Sequence, residues 1–302
     1  MKSSYPWAVA TLAATVSYAS ADLVVYQGFD GYAVGPLPGQ TVGANTQGLD
    51  PAGVVTSAGT GANANVFEAT GLTFSNLITS GGSGRYSDAT GRPSYIGFAY
   101  NGPAVTGTLY SSYLVRLVTA PNALSVVSLR ANATATTGGS GAYFHTYADS
   151  VGNTFTASQY DANNQNTSST TTLTTATDYV VIGRFMRVGQ PLSAESPGLA
   201  TTYVLTAAQF DFFKDGGFTE AELDSALIGS GPANVTSRVS DAPVNSGTFT
   251  LNPGNGIQFG PGNGGVNQTV AYDELRFGTT LDDVLPLAED PEPDPVNIAL
   301  TV

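Results

Sequence analysis

Apolar and polar residues alternate along much of this chain with the period of two that marks a half-buried β-strand. The pattern is clearest near the C-terminal end. There Tyr272-Asp273-Glu274-Leu275-Arg276-Phe277-Gly278-Thr279-Thr280 follows glycine-rich loops and leads into Asp283-Val284-Leu285-Pro286. This stretch reads as the last strand of a large β-domain, bounded at Thr269–Phe277. Neighbouring side chains of a regular strand leave opposite faces, so Asp273 and Glu274 are expected to point away from one another.

The same reading gives a first strand at Leu23–Phe29 and short strands near Val66–Glu68 and Leu72–Phe74. Clearer ones follow at Tyr95–Tyr100, Thr108–Val118, Leu124–Ala133, Ala142–Ala148, Thr154–Tyr160 and Asp178–Val188, with Gly256–Gly260 near the end. Gly81-Gly82-Ser83-Gly84-Arg85 reads as a loop, and the Asn-, Ser- and Thr-rich tract 163–177 as a loop followed by a frayed strand. Tyr179–Met186 is almost continuously apolar, as a central strand covered on both faces requires, and Thr201–Leu205 is expected to pair beside it. Helical spacing intrudes once, between Thr206 and Leu227. Thr206-Ala-Ala-Gln209 and Thr219-Glu-Ala-Glu222 both fit a capping box, and Gly216-Gly217 divides the two short helices. Many strands, glycine loops and no long helix imply an all-β fold. The expected architecture is a two-sheet antiparallel sandwich with a short helical insertion near 206–228.

Composition narrows the chemistry. Cysteine is absent, which excludes disulfides, thiol catalysis and Cys-ligated metals. The net charge is −13, and −14 once a leader carrying Lys2 is removed. The remainder holds one lysine, Lys214, and eight arginines without a basic cluster, so nucleic acid is not an expected partner. The leader itself is read from Lys2, the apolar run Trp7–Val16 and the small-x-small pattern Ala19-Ser20-Ala21, with cleavage before Asp22. The apolar run is too short to span a bilayer. Residues 1–21 are therefore expected to be a signal peptide, 22–287 the β-domain and 288–302 an acidic, proline-rich tail. That makes the protein secreted, extracellular or at the cell surface, with no membrane insertion after leader removal. A cysteine-free exported chain fits a bacterial source better than a eukaryotic one.

Four segments carry a family resemblance: GTLYSSYLVRLV (107–118), TDYVVIGRFMRV (177–188), QFDFFKDGGFTEAELDSA (209–226) and YDELRFGTTLDDVLP (272–286). Across about residues 23–287 the chain resembles the concanavalin A-like lectin/glucanase superfamily, the LamG-like jelly-roll domains of secreted bacterial proteins. The resemblance implies a jelly roll and one of three roles: lectin, glycosidase or structural adhesion module. It also implies a structural calcium between the first and last strands, placed on Asp273 with Gly28 or Asp30 nearby.

The residues themselves constrain those roles. Glycoside hydrolysis needs two carboxyls about 5–10 Å apart. The strand matched to the acid-bearing strand of glucanases, Leu124–Arg130, has no acid, although a pair drawn from distant strands stays open. His145 is the sole histidine and no Gly-x-Ser-x-Gly elbow accompanies it, which disfavours a nucleophilic triad. Asp211 to Glu222 places acids at positions 1, 5 and 12 of an EF-hand-like loop but Phe213 at position 3, where an oxygen ligand is needed. Tyr143, His145 and Tyr147 alternate along one strand. They form either an aromatic platform for sugar rings or ordinary half-buried strand aromatics. The reading that follows is a secreted, non-catalytic module that binds carbohydrate or mediates adhesion. Its partner would be a glycan or an extracellular matrix component, with calcium as a structural ion. A polysaccharide-degrading glycoside hydrolase and a purely structural spacer are the alternatives.

Overall fold

The computed structural model describes residues 23–288, apart from 44, 60–64, 89–93, 120–125, 131–142, 150–153, 161–165, 197, 241–249 and 261–267. The leader and the acidic tail from 289 onward fall outside the described residues. The strands run in chain order β1 (Leu23–Gln27), β2 (Gly35–Pro36), β3 (Thr46–Gln47), β4 (Thr56–Gly59), β5 (Asn65–Glu68), β6 (Ser83–Asp88) and β7 (Ser94–Ala99). Next come β8 (Gly107–Thr119), β9 (Val126–Arg130), β10 (Tyr143–Asp149), β11 (Thr154–Tyr160), β12 (Asn166–Thr172), β13 (Asp178–Val188) and β14 (Leu199–Leu205). Helices α1 (Ala207–Asp215) and α2 (Glu220–Ser225) interrupt them. The chain closes with β15 (Leu227–Ile228), β16 (Asn234–Val235), β17 (Ser237–Ser240), β18 (Gly256–Gly260), β19 (Gln268–Gly278) and α3 (Leu281–Val284).

Two sheets make an antiparallel sandwich of jelly-roll type. The larger has the order β17-β14-β13-β8-β19-β6-β5-β2, with β1 on β19 and β3 on β1, and the smaller is β4-β7-β18-β9. A three-stranded sheet, β10-β11-β12, stands beside them. Among the described residues, only the short β15–β16 pair is parallel.

The inner faces of the two sheets enclose the main core. From the large sheet come Tyr113, Val115, Val181, Phe185, Val270, Tyr272, Leu275 and Phe277. Ile96, Phe98, Val127, Leu129, Ile257 and Phe259 come from the small one. Aromatic rings set its centre: Phe259 meets Tyr272 edge-on at 4.6 Å between centroids, and Phe29 meets Tyr272 at 5.6 Å. A second core lies on the outer face of the large sheet. Tyr110, Leu114, Val180, Ile182, Tyr203 and Leu205 pack there against Phe210 and Phe213 of α1, Leu223 of α2, and Leu281 and Val284 of α3. The middle strands thus bury both faces, which explains the unbroken apolar run of β13.

Both capping boxes form as the spacing predicts, at Thr206 and Thr219. Three local expectations change. Leu72–Phe74 is not a strand. Its apolar side chains cover the second core while the Leu72 N–H turns to a side-chain acceptor, Asp273, instead of a ladder. Ser83–Arg85 is not loop but the start of β6, where Gly84 is needed because a Cβ would sit 2.0 Å from the Tyr272 ring. The polar tract yields β12, a threonine-rich strand that pairs with β11. Asp211 to Asp215 are helical, so the EF-hand-like spacing has no loop to act through.

Candidate functional site

Strand β19 changes neighbour along one edge. Residues 268–272 lie beside β6 and residues 275–278 beside β1, while β8 runs along the other edge. At the change the register against β8 slips: Asp273 faces Leu114 and Arg276 faces Ser112, so two residues oppose Tyr113 alone. This is a β-bulge. Glu274 adopts φ 56° within it, a left-handed conformation that costs a non-glycine residue on the order of 1 kcal/mol or more.

The bulge resets the alternation. Tyr272, Leu275 and Phe277 all enter the inner core, and Asp273, Glu274 and Arg276 share the outer face. The expectation that Asp273 and Glu274 leave opposite faces is therefore overturned, because one extra residue shifts the side-chain period by one.

Loop 71–82 closes over this face. The Leu72 and Glu274 N–H groups donate to the two Asp273 carboxyl oxygens, each at 2.8 Å. Glu274 accepts from the Ser80 N–H, from the Tyr26 hydroxyl at 3.1 Å and from the Arg276 guanidinium. Arg276 also donates to the Ile78 carbonyl at 2.6 Å and lies over the Tyr26 ring at 5.0 Å. Asp273 and Glu274 have no exposure and Arg276 has 2%. Burial, reinforced by the charge of Glu274, pushes the Asp273 carboxyl up to about 9 despite its two N–H donors. Burial likewise raises the Tyr26 hydroxyl to about 12.

Gly28 and Asp30 meet the same loop from the β1 side. The Ser80 hydroxyl donates to the Gly28 carbonyl, and Asp30 accepts from the Gly81 N–H at 3.2 Å and from Asn45 at 2.8 Å. Gly28 and Asp30 thus hold the Ser80-Gly81 end of the loop, whereas Asp273 is bonded at its other end, to Leu72. Beyond it, a Cβ placed on Gly71 would lie 2.6 Å from the Ser80 carbonyl, 3.0 Å from Asp273 Oδ2 and 3.1 Å from the Gly82 carbonyl. No side chain fits at Gly71, and its own backbone fills the space where these oxygens converge. Among the described residues no three acidic, histidine or cysteine side chains gather to hold a metal. A calcium ion would therefore have Asp273 as its one buried carboxylate, with Gly28 and Asp30 holding the neighbouring turn. Its contribution would be positive charge beside the buried acids.

A second acid pair was not anticipated as a unit. Glu220 and Asp224 project from α2 onto Arg184 of β13, at 2.8 and 3.1 Å from the same guanidinium nitrogen. The Tyr110 hydroxyl donates to Glu220 and the Tyr203 hydroxyl to Asp224. Burial and the neighbouring Asp224 raise the Glu220 carboxyl. Burial acts upward on Asp224 too, but the bonds from Tyr203 and Arg184 outweigh it and hold that carboxyl below its usual range. Spacing i to i+4 on α2 puts both acids on one helix face, the one signal the sequence offered.

Tyr143, His145 and Tyr147 occupy alternate positions of β10, as expected, though their side chains lie outside the described residues. The backbone register pairs Tyr143 with Tyr160, His145 with Ser158 and Tyr147 with Thr156. Tyr160 was missed in the sequence: counting outward from the Gly152-Asn153 turn signal would set it opposite His145, whereas the observed register pairs it with Tyr143.

No family model matches the chain, and no curated protein matches it. Among solved structures, domain 4 of AbnA, a GH43 extracellular arabinanase from Geobacillus stearothermophilus in complex with arabinotriose, aligns over 89% of this chain and 99% of its own. The TM-score is 0.47 and the identity 10%. The botulinum neurotoxin type G receptor-binding domain aligns over 85% of this chain at a TM-score of 0.40 and 11% identity, and the alignment spans 48% of that domain's length. The cellulose-induced protein Cip1 aligns over 71% of this chain and 90% of its own, at a TM-score of 0.36 and 13% identity. Likenesses at this level say nothing of what the present chain binds. Among the described residues, no helix is long and apolar enough to cross a membrane.

Proposed function

We propose that this chain is the non-catalytic binding module of an exported protein and that it engages carbohydrate through the β10-β11-β12 sheet. The observation that carries the reading is the backbone register. It sets Tyr143 opposite Tyr160 and places His145 and Tyr147 at the following alternate positions, with Ser158 and Thr156 across from them. Aromatic rings and hydroxyls at such positions match the apolar faces and hydroxyl edges of sugars. The sealing of Asp273 and Glu274 under loop 71–82 supports a non-catalytic role. Export rests on the Lys2 to Ala21 leader pattern, for which N-terminal sequencing of secreted protein should read Asp22.

A glycan-array screen of the purified chain, with and without calcium, tests the reading. Binding by the wild type that disappears in Tyr143→Ala and Tyr160→Ala is the expected result. Absence of binding to every glycan under both conditions would overturn it and leave the spacer role.

The Glu220–Asp224 pair favours a second reading, a glycoside hydrolase. One carboxyl is raised and the other lowered, the division of labour an acid and a nucleophile or base require. Release of reducing sugar from a polysaccharide panel, lost in Glu220→Gln, would establish that reading. No release by the wild type excludes it for those substrates.

A further inference from the structure

At one end of the sandwich, an open cavity of about 660 Å³ lies between the start of β1, the end of β3 and the loop that follows β7. That volume falls within the range of roughly 300–1,000 Å³ that small-ligand sites occupy. Its two walls are locked together by backbone bonds. The Asn101 N–H donates to the Gly48 carbonyl at 2.8 Å, Leu49 bridges to Tyr100, and the Val105 N–H donates to the Leu251 carbonyl at 3.0 Å. The Tyr100 hydroxyl donates to the Pro103 carbonyl at 2.5 Å and supports the loop from beneath. Gly102 is required over it, since a Cβ there would stand 2.5 Å from the Tyr100 oxygen.

The chemistry of the lining is selective. None of the residues lining this cavity is charged, in a protein of net charge −13. What it presents is the amide of Asn101, the hydroxyl of Thr106 and the apolar surfaces of Val24 and Pro103, while the Gln47 amide nitrogen donates to the Leu23 carbonyl and the Thr279 hydroxyl to Asp283. Asn101 and Thr106 are exposed, and among the described residues their side chains have no hydrogen-bond partner. Uncharged donors and acceptors beside small apolar surfaces suit a ligand rich in hydroxyls and C–H faces. They offer no countercharge to a phosphate, a uronate or a cation. A peptide is disfavoured on separate grounds. The Leu23 carbonyl is taken by the Gln47 amide and the Gly48 carbonyl by the Asn101 N–H, so the walls give an added strand little ladder to extend.

We propose that this cavity is a binding subsite for a neutral oligosaccharide, distinct from the β10-β11-β12 sheet. The inference rests on the carbohydrate-binding reading and adds both a place and a charge class to it.

Calorimetric titration of the purified chain tests it, using neutral gluco-, xylo-, manno- and arabino-oligosaccharides, oligogalacturonate and a mixed peptide library. Ala104 is exposed on the cavity wall, so Ala104→Trp fills the space without entering the core. Asn101→Ala removes one donor–acceptor group, and unchanged thermal melts confirm that both variants fold. The expected result is binding of a neutral oligosaccharide that weakens about fivefold in Asn101→Ala and more than about tenfold in Ala104→Trp. Tyr143→Ala should leave this component in place. Neutral binding unaffected by both cavity variants, or binding confined to oligogalacturonate, overturns the subsite and leaves the general carbohydrate reading standing. Peptide binding blocked by Ala104→Trp overturns the ligand class. Absence of binding to any saccharide overturns both.

Discussion

Glu274 and Arg276 form a buried ion pair on the outer face of β19, two positions apart and so on one face by the strand's own period, while the bulge brings Asp273 in beside them. Their charges were taken out of water to be there, so the pair is held by geometry more than by net Coulomb gain. Removing one partner leaves the other uncompensated.

Arg276→Met should therefore destabilise the fold by about 3–5 kcal/mol, read from the urea midpoint at constant slope. Glu274→Gln combined with Arg276→Met should recover part of that loss, because no isolated charge remains. If Arg276→Met costs less than about 1 kcal/mol, the pair is not what closes loop 71–82 onto the strand.

Asp273 makes stability depend on pH. Its folded carboxyl titrates at about 9, because burial and the charge of Glu274 disfavour ionisation, while an unfolded aspartate titrates near ~3.9. Between these values the folded chain holds a proton that the unfolded chain has lost. Stability from this group is fully present below about 4 and falls as pH rises toward about 9, by at most roughly 1.4 kcal/mol per pH unit. Urea unfolding at intervals from pH 5 to 9 should show this decline in the wild type and its loss in Asp273→Asn, whatever the variant's absolute stability. Parallel profiles for the two proteins would rule the group out.

The same residues show what the sequence made legible. Apolar patterning located β8, β13 and β19 almost to the residue, since each buries at least one face continuously and the period survives in the letters. Hydroxyl-x-x-Glu/Gln spacing placed both capping boxes, because capping is local. The direction of Asp273 and Glu274 was not legible. The letters YDELRF fit a regular strand, and the bulge arises where β19 passes from β6 to β1, a switch between segments some 60 residues apart in the chain. The union of Glu220 with Arg184, the meeting of Tyr26 with Glu274 and the cavity between Gly48 and Asn101 depend on tertiary register in the same way. Tyr160 belongs with them: counting from the Gly152-Asn153 signal misses its place opposite Tyr143 by two residues, because the loop length sets the register.

Close packing yields a sharper test of the core. Gly84 of β6 pairs with Tyr272 of β19, and the tyrosine ring lies directly over its backbone, with its hydroxyl donating to Asn65 at 2.7 Å. Gly84→Ala forces a methyl group to within 2.0 Å of the ring. Tyr272 cannot yield without disturbing Phe29 and Phe259, so the substitution should cost about 1–3 kcal/mol by overpacking and lower the melting temperature. A neutral result would mean that the ring has room to shift.

Calcium is the remaining prediction, and the titration of Asp273 sharpens it. A cation on Asp273 must displace the proton that burial keeps on the carboxyl, so binding should strengthen as pH rises toward about 9. Bound calcium also removes the extra native-state proton, and with it the downward slope of stability with pH. Melting in calcium and in chelator should therefore diverge more at pH 8 than at pH 6. At a calcium concentration of about 100 times Kd the stabilisation would be roughly 2.7 kcal/mol. Asp273→Asn should abolish the difference at both pH values, whereas Asp30→Asn, which alters the turn and not the direct donor set, should only weaken it. Identical melts with calcium and chelator at both pH values would mean that Asp273 serves this fold as a buried hydrogen-bond acceptor, with the bulge and loop 71–82 closing without a metal.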